Sequence, residues 1–354
     1  MGNREKFACS GTVCPECGSS RVARILWGMP ALSDNLRRSF EDGSVVLGGC
    51  CPPEPRPDWR CDDCGCEFGD DPGAYEGWRG WRTAELRSVV YGAAVGDALG
   101  VPFEFMDRGS FTCTGMSGGG AHGMPRGTFS DDTSMLVATC DSIRACRVVD
   151  VDDMRERFRA WIDRGEYTAD GVVFDFGNAT ATALRQGFGC AGERSNGNGS
   201  LMRIAPLALT PASDEQVREV SAITHAHSVS TGACVVFVHV LREVLSGVPL
   251  DEAVGDNVPG ASAPFSLSDL VEVRREGVRS GGYVVDTLRA ALWCALHTES
   301  YHDCVLAAVN LGDDTDTTAC VAGALAGAMY GFGSIPREWL DQLRGRDVIE
   351  ACLF

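Results

Sequence analysis

Two short acidic runs carry the densest chemistry in the chain, Ser130-Asp131-Asp132-Thr133 and Asp313-Asp314-Thr315-Asp316-Thr317. Each stands just before a helical stretch, one resuming at Met135 and the other at Ala319. Asp, Ser and Thr in such places cap helices, because their side-chain oxygens accept the unpaired N–H groups of the first turn. One or two caps would suffice. The second run instead places carboxylates beside ACVAGALAGAMY at 319–330, a segment apolar on every side, where unpaired charge is costly. A cation resolves that cost. Carboxylate and hydroxyl oxygens suit Mg²⁺, Mn²⁺ or Ca²⁺ rather than zinc, and two such runs brought together could hold a pair of ions.

A second kind of chemistry is anion binding. The stretch NGNGSLMR at 196–203 can turn successive backbone N–H groups toward a phosphate, although a plain turn has the same composition. Residues 115–127, containing GGGAHG, read as a flexible loop that could shape or cover a pocket next to the first acidic run. His225 and His227 lie in THAHS just ahead of an apolar helix. Two histidines spaced i, i+2 do not share a helix face, so a structural or ligand-contacting His225 fits better than metal coordination.

The third chemistry is confined to the N-terminus. Of 17 cysteines, eight fall in the first 66 residues, and Cys14-Pro-Glu-Cys17-Gly and Cys61-Asp-Asp-Cys64-Gly form two knuckles whose paired thiolates can face one tetrahedral ion. Cys14, Cys17, Cys61 and Cys64 are the expected ligands of one structural Zn²⁺; Cys9, Cys50, Cys51 and Cys66 form no CxxC pair and are weaker candidates. Four thiolates leave no open coordination position, so this metal would supply folding energy and catalysis must lie elsewhere.

These groups need elements to hold them. The apolar spacing of Leu32, Leu36 and Phe40 reads as a short helix inside the cysteine module, and the prolines at 52, 53, 55 and 57 break regular structure after it. From Thr83 onward the period is helical, as in Leu136, Cys140 and Ile143, or Val284, Leu288, Ala291, Leu292 and Ala295. The expectation is a zinc-ribbon-like module over 1–75 and a single all-α domain over 76–354. At 354 residues and 44% hydrophobic composition the chain can build a sizeable core, and a net charge of −18 opposes broad attraction to nucleic acid or anionic membrane. The start has no apolar signal region, and no run of about 18 residues reads as apolar enough for a bilayer; a cytosolic protein without membrane contact is expected.

Together GAAVGDALGVPFEF at 92–105, GTFSDDTSML at 127–136, NGSLMRIAPLAL at 198–209, THAHS at 224–228 and GDDTDTTACVAGALAGAMYG at 312–331 resemble the ADP-ribosylglycohydrolase family in content and order. The resemblance implies a compact, orthogonally packed all-helical domain with two Mg²⁺ or Mn²⁺ ions. It implies Ser130, Asp131, Asp132, Asp314, Asp316 and Thr317 as their ligands, Ser130 standing where many members carry threonine. It places Glu104 at the family's acidic position near the site, and Asn198, Gly199, Ser200 and His225 on stretches that contact ADP-ribose. Either Asp132 or Glu104 would then transfer the proton in cleaving ADP-ribose from a modified acceptor such as an arginine or serine side chain. Two other readings use the same residues: an ADP-ribose-binding adaptor or structural protein without turnover, and a two-metal phosphoesterase. The zinc module could meet a protein or nucleic-acid target, its arginines at 21, 24, 37 and 38 being offset by nearby acids.

Overall fold

A computed structural model describes residues 14, 17, 19–27, 40–41, 43–49, 57, 59–68, 83–255, 258, 264–265 and 267–354. The chain divides into two compact units, Met1–Gly80 and Trp81–Phe354.

Among its described residues the first unit carries four short strands, β1 (Val22–Trp27), β2 (Val45–Gly49), β3 (Trp59–Cys61) and β4 (Glu67–Phe68), in the order β2-β1-β3-β4. β1 runs parallel to β2 and antiparallel to β3, with Val22 opposite Cys61; β4 extends the sheet antiparallel to β3. A sheet this small buries little, Ala23 and Ile25 being enclosed beside Cys61, and needs another source of stability. The cysteines can supply it. The Sγ atoms of Cys14 and Cys64 are 3.5 Å apart, those of Cys17 and Cys61 3.6 Å, and all four lie within 4.8 Å of one another. Thiolates at about 2.3 Å around a tetrahedral zinc are separated by about 3.8 Å, so this arrangement is compatible with a zinc-ribbon-like site. Cys66 stays out of the group, its thiol facing the Glu67 carbonyl. The helix expected over Leu32, Leu36 and Phe40 lies outside the described residues except for Phe40, as do Cys9, Cys50 and Cys51.

The second unit is helical: α1 (Thr83–Gly100), α2 (Asp131–Cys146), α3 (Val151–Arg164), α4 (Asn178–Gln186), α5 (Asp214–Ala222), α6 (Ser228–Leu245), α7 (Leu250–Ala253), α8 (Val284–Leu296), α9 (Tyr301–Val309), α10 (Thr315–Tyr330), α11 (Arg337–Gln342) and α12 (Arg346–Cys352). Among its described residues β pairing is limited to isolated bridges such as Gly119 with Met124. At the centre α10 is buried without a break from Thr315 to Gly327, with α1, α2, α6, α8 and α9 around it.

The closest packing joins α1 to α10 through glycines. A Cβ on Gly92 would lie 2.3 Å from the Gly323 carbonyl oxygen, one on Gly96 2.1 Å from that of Ala319, and one on Gly100 2.3 Å from Asp316 Cα. The glycines of α10 reciprocate: a Cβ on Gly323 would meet the Gly92 carbonyl at 2.2 Å. Backbone therefore lies on backbone, and the α10 N-terminus is fixed against the C-terminal turn of α1. The same spacing fixes Asp316.

One sequence expectation needs correction. α6, at 18 residues, is long and apolar enough to cross a bilayer by length and composition. Its polar His239, Arg242 and Glu243 hid that in the sequence, and in the fold it is a core helix, two-thirds buried and packed on α5 and α8.

Gly323→Ala should lower unfolding stability by at least about 1–3 kcal/mol, because the new methyl has only backbone to displace. Urea midpoints compare the two proteins, and equal midpoints would show that the helices do not approach this closely.

Candidate active site

The two acidic runs meet. Asp132 Oδ2 accepts from Ser130 Oγ at 3.2 Å and from Thr317 Oγ1 at 3.2 Å, across 185 residues of sequence in the second case. Ser130 is also the N-cap of α2, accepting the Asp132 N–H, so the capping role and the clustering coexist. Asp314 precedes α10 but makes no side-chain cap; its Oδ2 accepts instead from Asn198 Nδ2 at 2.8 Å. Asp131, Asp132 and Asp316 are buried, and one oxygen each of Asp132, Asp314 and Asp316 has no hydrogen-bond donor.

Sequence reading missed the residue that holds this together. Asp97, fully buried in α1, accepts the Ser130 N–H at 2.9 Å, the Thr133 N–H at 3.0 Å and the Thr133 hydroxyl at 2.5 Å. It caps α2 from a different helix. Burial pushes its carboxyl up to about 6 against the pull of those donors. A lone charge inside the glycine-spaced apolar helix GAAVGDALG was the available signal.

The electrostatics ask for cations. Burial first, then the neighbouring carboxylates, raises Asp131, Asp132 and Asp316 well above the ordinary carboxylate range, and burial raises Asp314. Three orphaned carboxylate oxygens with two hydroxyls form a hard, all-oxygen donor set that fits Mg²⁺ or Mn²⁺ and offers zinc no sulfur or nitrogen. Among the described residues, the side chains whose ligand-capable atoms cluster within 4.8 Å of one another are the four cysteines and, beside these aspartates, Glu104, His122 and Asp175.

These carboxylates open on a cavity of about 590 Å³, in the range that holds small ligands. Its wall includes Glu104, Asp131, Asp132, Asp314 and Thr317, with Gly197, Asn198, Gly199 and His225 beside them. Gly199 cannot carry a side chain, since its Cβ would lie 2.7 Å from His225 Cε1. The Asn198 carbonyl accepts from Leu201 and Met202, which turns the Gly199 N–H the opposite way, as an anion site requires. Of the expected substrate contacts, Asn198 is engaged with Asp314 and Thr287, and the Ser200 hydroxyl is turned into the core against Ser221. His225 is buried on the cavity wall, its Nδ1 paired with Thr224 Oγ1. Burial and the nearby Arg203 push it down to about 3, so it is a neutral imidazole. His227 belongs to α6 as its N-cap, accepting the Val229 N–H.

Glu104 leaves a 3₁₀ turn, Val101–Phe103, begun by Pro102. Burial and then Asp316 push its carboxyl up to about 9. Two groups that sequence reading did not assign surround it: His122, with Nε2 2.5 Å from Glu104 Oε2, and Asp175, 3.4 Å from the same nitrogen. Asp175, pushed up to about 9 chiefly by burial, lies beside Asp316, whose own carboxyl its charge pushes upward after burial does. Phe105 and Phe176, both exposed, complete this side of the cavity.

The profile of the family described as ADP-ribosylglycohydrolase matches residues 82–353. The chain belongs to the ADP-ribosylglycohydrolase family. Among characterised members it is similar to the ADP-ribosylarginine hydrolase Tri1 of Serratia proteamaculans, at 33% identity covering 73% of this chain and 75% of that one. It is also similar to the ADP-ribosyl-[dinitrogen reductase] glycohydrolase of Rhodospirillum rubrum, at 32% identity covering 71% and 87%. Among solved structures, an ADP-ribosylglycohydrolase-related protein complex superposes with a TM-score of 0.65 at 32% identity, covering 76% of this chain and 95% of that one. The family's mostly helical fold and hydrolase class agree with the all-α reading of the sequence.

Two outcomes test the site. Without metal, the folded state keeps carboxyl protons that the unfolded chain releases above its ordinary carboxylate range, so stability falls as pH rises. At pH 8 in chelator, Asp131→Asn should therefore melt above the wild type, while Mn²⁺ should raise the wild-type melting temperature and leave the variant unmoved. The opposite order would remove the cluster from metal binding. His225, held at about 3 in the fold, binds no proton where the unfolded chain does. Its contribution to stability is thus lost as pH falls from about 6.5 toward that value. Its ring protons should not shift between pH 5 and 8 by NMR; a titration there would place it in a wetter site.

Proposed function

We propose that this chain is a divalent-metal-dependent hydrolase that cleaves the N-glycosidic bond between ADP-ribose and an arginine side chain. The observation that carries the reading is the convergence of Asp132, Thr317 and Asp314 on one wall of a nucleotide-sized cavity whose adjoining wall is the Gly197–Gly199 loop and His225. Ser130, Asp131, Asp132, Asp314, Asp316 and Thr317 would hold the ions, and bound Mg²⁺ or Mn²⁺ would supply ribose orientation and an acidified water. The Gly199 N–H would meet the diphosphate, and neutral His225 adds no positive charge of its own.

Glu104 is the better candidate for proton transfer. Asp132 is committed to Ser130 and Thr317 through one oxygen and to the cation set through the other, whereas Glu104 lines the cavity outside the cluster. Cleavage builds positive charge on the ribose and needs a water relieved of its proton on one side and a protonated leaving group on the other. Burial discourages Glu104 and Asp175, both on the cavity wall, from ionising, and the guanidinium of an arginine acceptor on the cavity side would offset part of that cost. The similarity to an ADP-ribosylarginine hydrolase supports the same acceptor.

The wild type with Mg²⁺ should release ADP-ribose from ADP-ribosylarginine at least about tenfold faster than from ADP-ribosylserine, and Glu104→Gln should lower kcat by about 10²–10⁴-fold while still binding ADP-ribose. Chromatography of released ADP-ribose and calorimetry read the two. Metal-dependent ADP-ribose binding without release would make the chain a binder, and release of phosphate in its place a phosphoesterase.

A further inference from the structure

The loop read from sequence as flexible is fixed, and it delivers one side chain. The Gly119 N–H donates to the Met124 carbonyl at 2.8 Å and the Gly123 N–H to the Gly120 carbonyl at 3.2 Å, closing a tight turn with His122 at its tip. Gly120 and Gly123 have φ of +72° and +64°, backbone that a side chain disfavours. A Cβ on Gly120 would come 2.3 Å from the Pro102 carbonyl oxygen, so the turn rests directly on the segment that ends in Glu104. At that contact the His122 ring lies between Phe105 and Phe174, at centroid separations of 5.9 and 5.2 Å. Its Nε2 reaches Glu104 Oε2 at 2.5 Å and Asp175 Oδ1 at 3.4 Å.

Glu104 is therefore gripped from two directions. Its own backbone leaves a short 3₁₀ turn and is followed by Phe105 at φ +65°, a strained residue clasped by its N–H to the Asp313 carbonyl. That clasp fixes the main chain and leaves the side chain's torsions open. Among the described residues, the His122 imidazole hydrogen-bonds the Glu104 carboxyl group, and Asp175 is the other polar side chain beside it. A carboxylate that must meet a leaving group within a few tenths of an ångström needs such a tether.

We propose that His122 is a positioning residue for the hydrolysis: its ring, clamped by Phe105 and Phe174 on the close-packed Gly118–Gly127 turn, holds the Glu104 carboxylate in its working orientation without touching substrate or metal. The inference rests on the reading of Glu104 as the proton-transferring acid. While Glu104 keeps its proton, its O–H donates to Nε2; once the proton has been given up, the Nε2–H is the donor. Asp175, carried at φ +60° from the opposite loop, is the second acceptor within reach of that nitrogen and keeps the ring from swinging away.

The test separates side-chain geometry from folding. Gln carries an amide nitrogen near the place of histidine Nε2, whereas Asn reaches only the place of Nδ1. His122→Asn in the full-length, Mn²⁺-loaded protein should lose about 10–100-fold in kcat with KM and Mn²⁺ affinity within threefold of wild type, and His122→Gln should recover most of that loss. Glu104→Gln should make the two His122 variants indistinguishable. Equal activity of wild type and His122→Asn overturns the positioning role while leaving the hydrolase reading intact; a wild type that binds Mn²⁺ and ADP-ribose but releases none overturns that reading and this inference with it. If the variants do not fold, ¹⁵N spectra of the wild type decide: the His122 Nε2 should be hydrogen-bonded, as acceptor or as the carrier of a slowly exchanging proton, and a ring that exchanges freely with solvent refutes the tether.

Discussion

Uncompensated negative charge inside a helical core is the constraint around which this molecule is organised. Asp97, Asp131, Asp132 and Asp316 are all nearly inaccessible, and three carboxylate oxygens of the cluster have no donor. No core arrangement is stabilised by that directly; the idealised cost of an unpaired buried charge is many kcal/mol, and the chain answers it in two ways. One is protein donors, spent on Asp97, which takes two backbone N–H groups and a hydroxyl. The other is a hard oxygen set left open on the cavity side, which divalent cations can neutralise. The division of labour explains why Asp97, although as buried as the others, is pushed up only to about 6.

Holding like charges close requires a scaffold that cannot relax, and the α1–α10 contact provides it. Side chains at Gly92, Gly96 and Gly323 would act as spacers; their absence brings the two backbones into contact over two helical turns. The contact ends at Gly100 against Asp316, so the last interlocked residue of α1 touches a proposed metal ligand. Asp97 lies one turn earlier and reaches across to the start of α2. Two helix N-termini far apart in sequence are thereby referred to one helix.

How much of this could be read in the sequence depends on how local each feature is. The acidic runs were legible because each packs several carboxylates and hydroxyls into a few residues, and the CxxC knuckles for the same reason. The helical body followed from period. Asp97, His122 and Asp175 were not legible, since each is a single polar residue whose partners come from other segments: Ser130 and Thr133, Glu104, and Asp316. The glycines of 115–127 were read as freedom, whereas in the fold Gly118, Gly120 and Gly127 mark places where backbone meets backbone and no side chain fits. Glycine content alone cannot distinguish those cases. Ser200 shows the converse limit: its position in the loop was legible, but the direction of its hydroxyl, into the core toward Ser221, depends on tertiary packing.

Backbone strain follows the same logic. Among the described non-glycine residues, five hold positive φ, and three of them, Phe105, Asp175 and Asp313, stand at or beside the cavity. Such conformations cost about 1–3 kcal/mol each and persist only where surrounding contacts over-determine them. Here the contacts are visible: the Phe105 N–H donates to the Asp313 carbonyl and the Asp313 N–H to the Met106 carbonyl, so two strained residues brace each other. Gly312, next to Asp313, has no room for a Cβ, which would lie 2.6 Å from the Arg108 nitrogen. Arg108 in turn donates to the carbonyls of Leu311, Arg275 and Val278. The brace ties the turn that presents Glu104 to the turn that opens α10, so the proposed acid and the proposed cation ligands are held at a fixed separation. A site whose chemistry depends on the distance between them cannot tolerate independent motion of its two halves, and a pair of strained residues locked together suppresses that motion more firmly than either relaxed turn would.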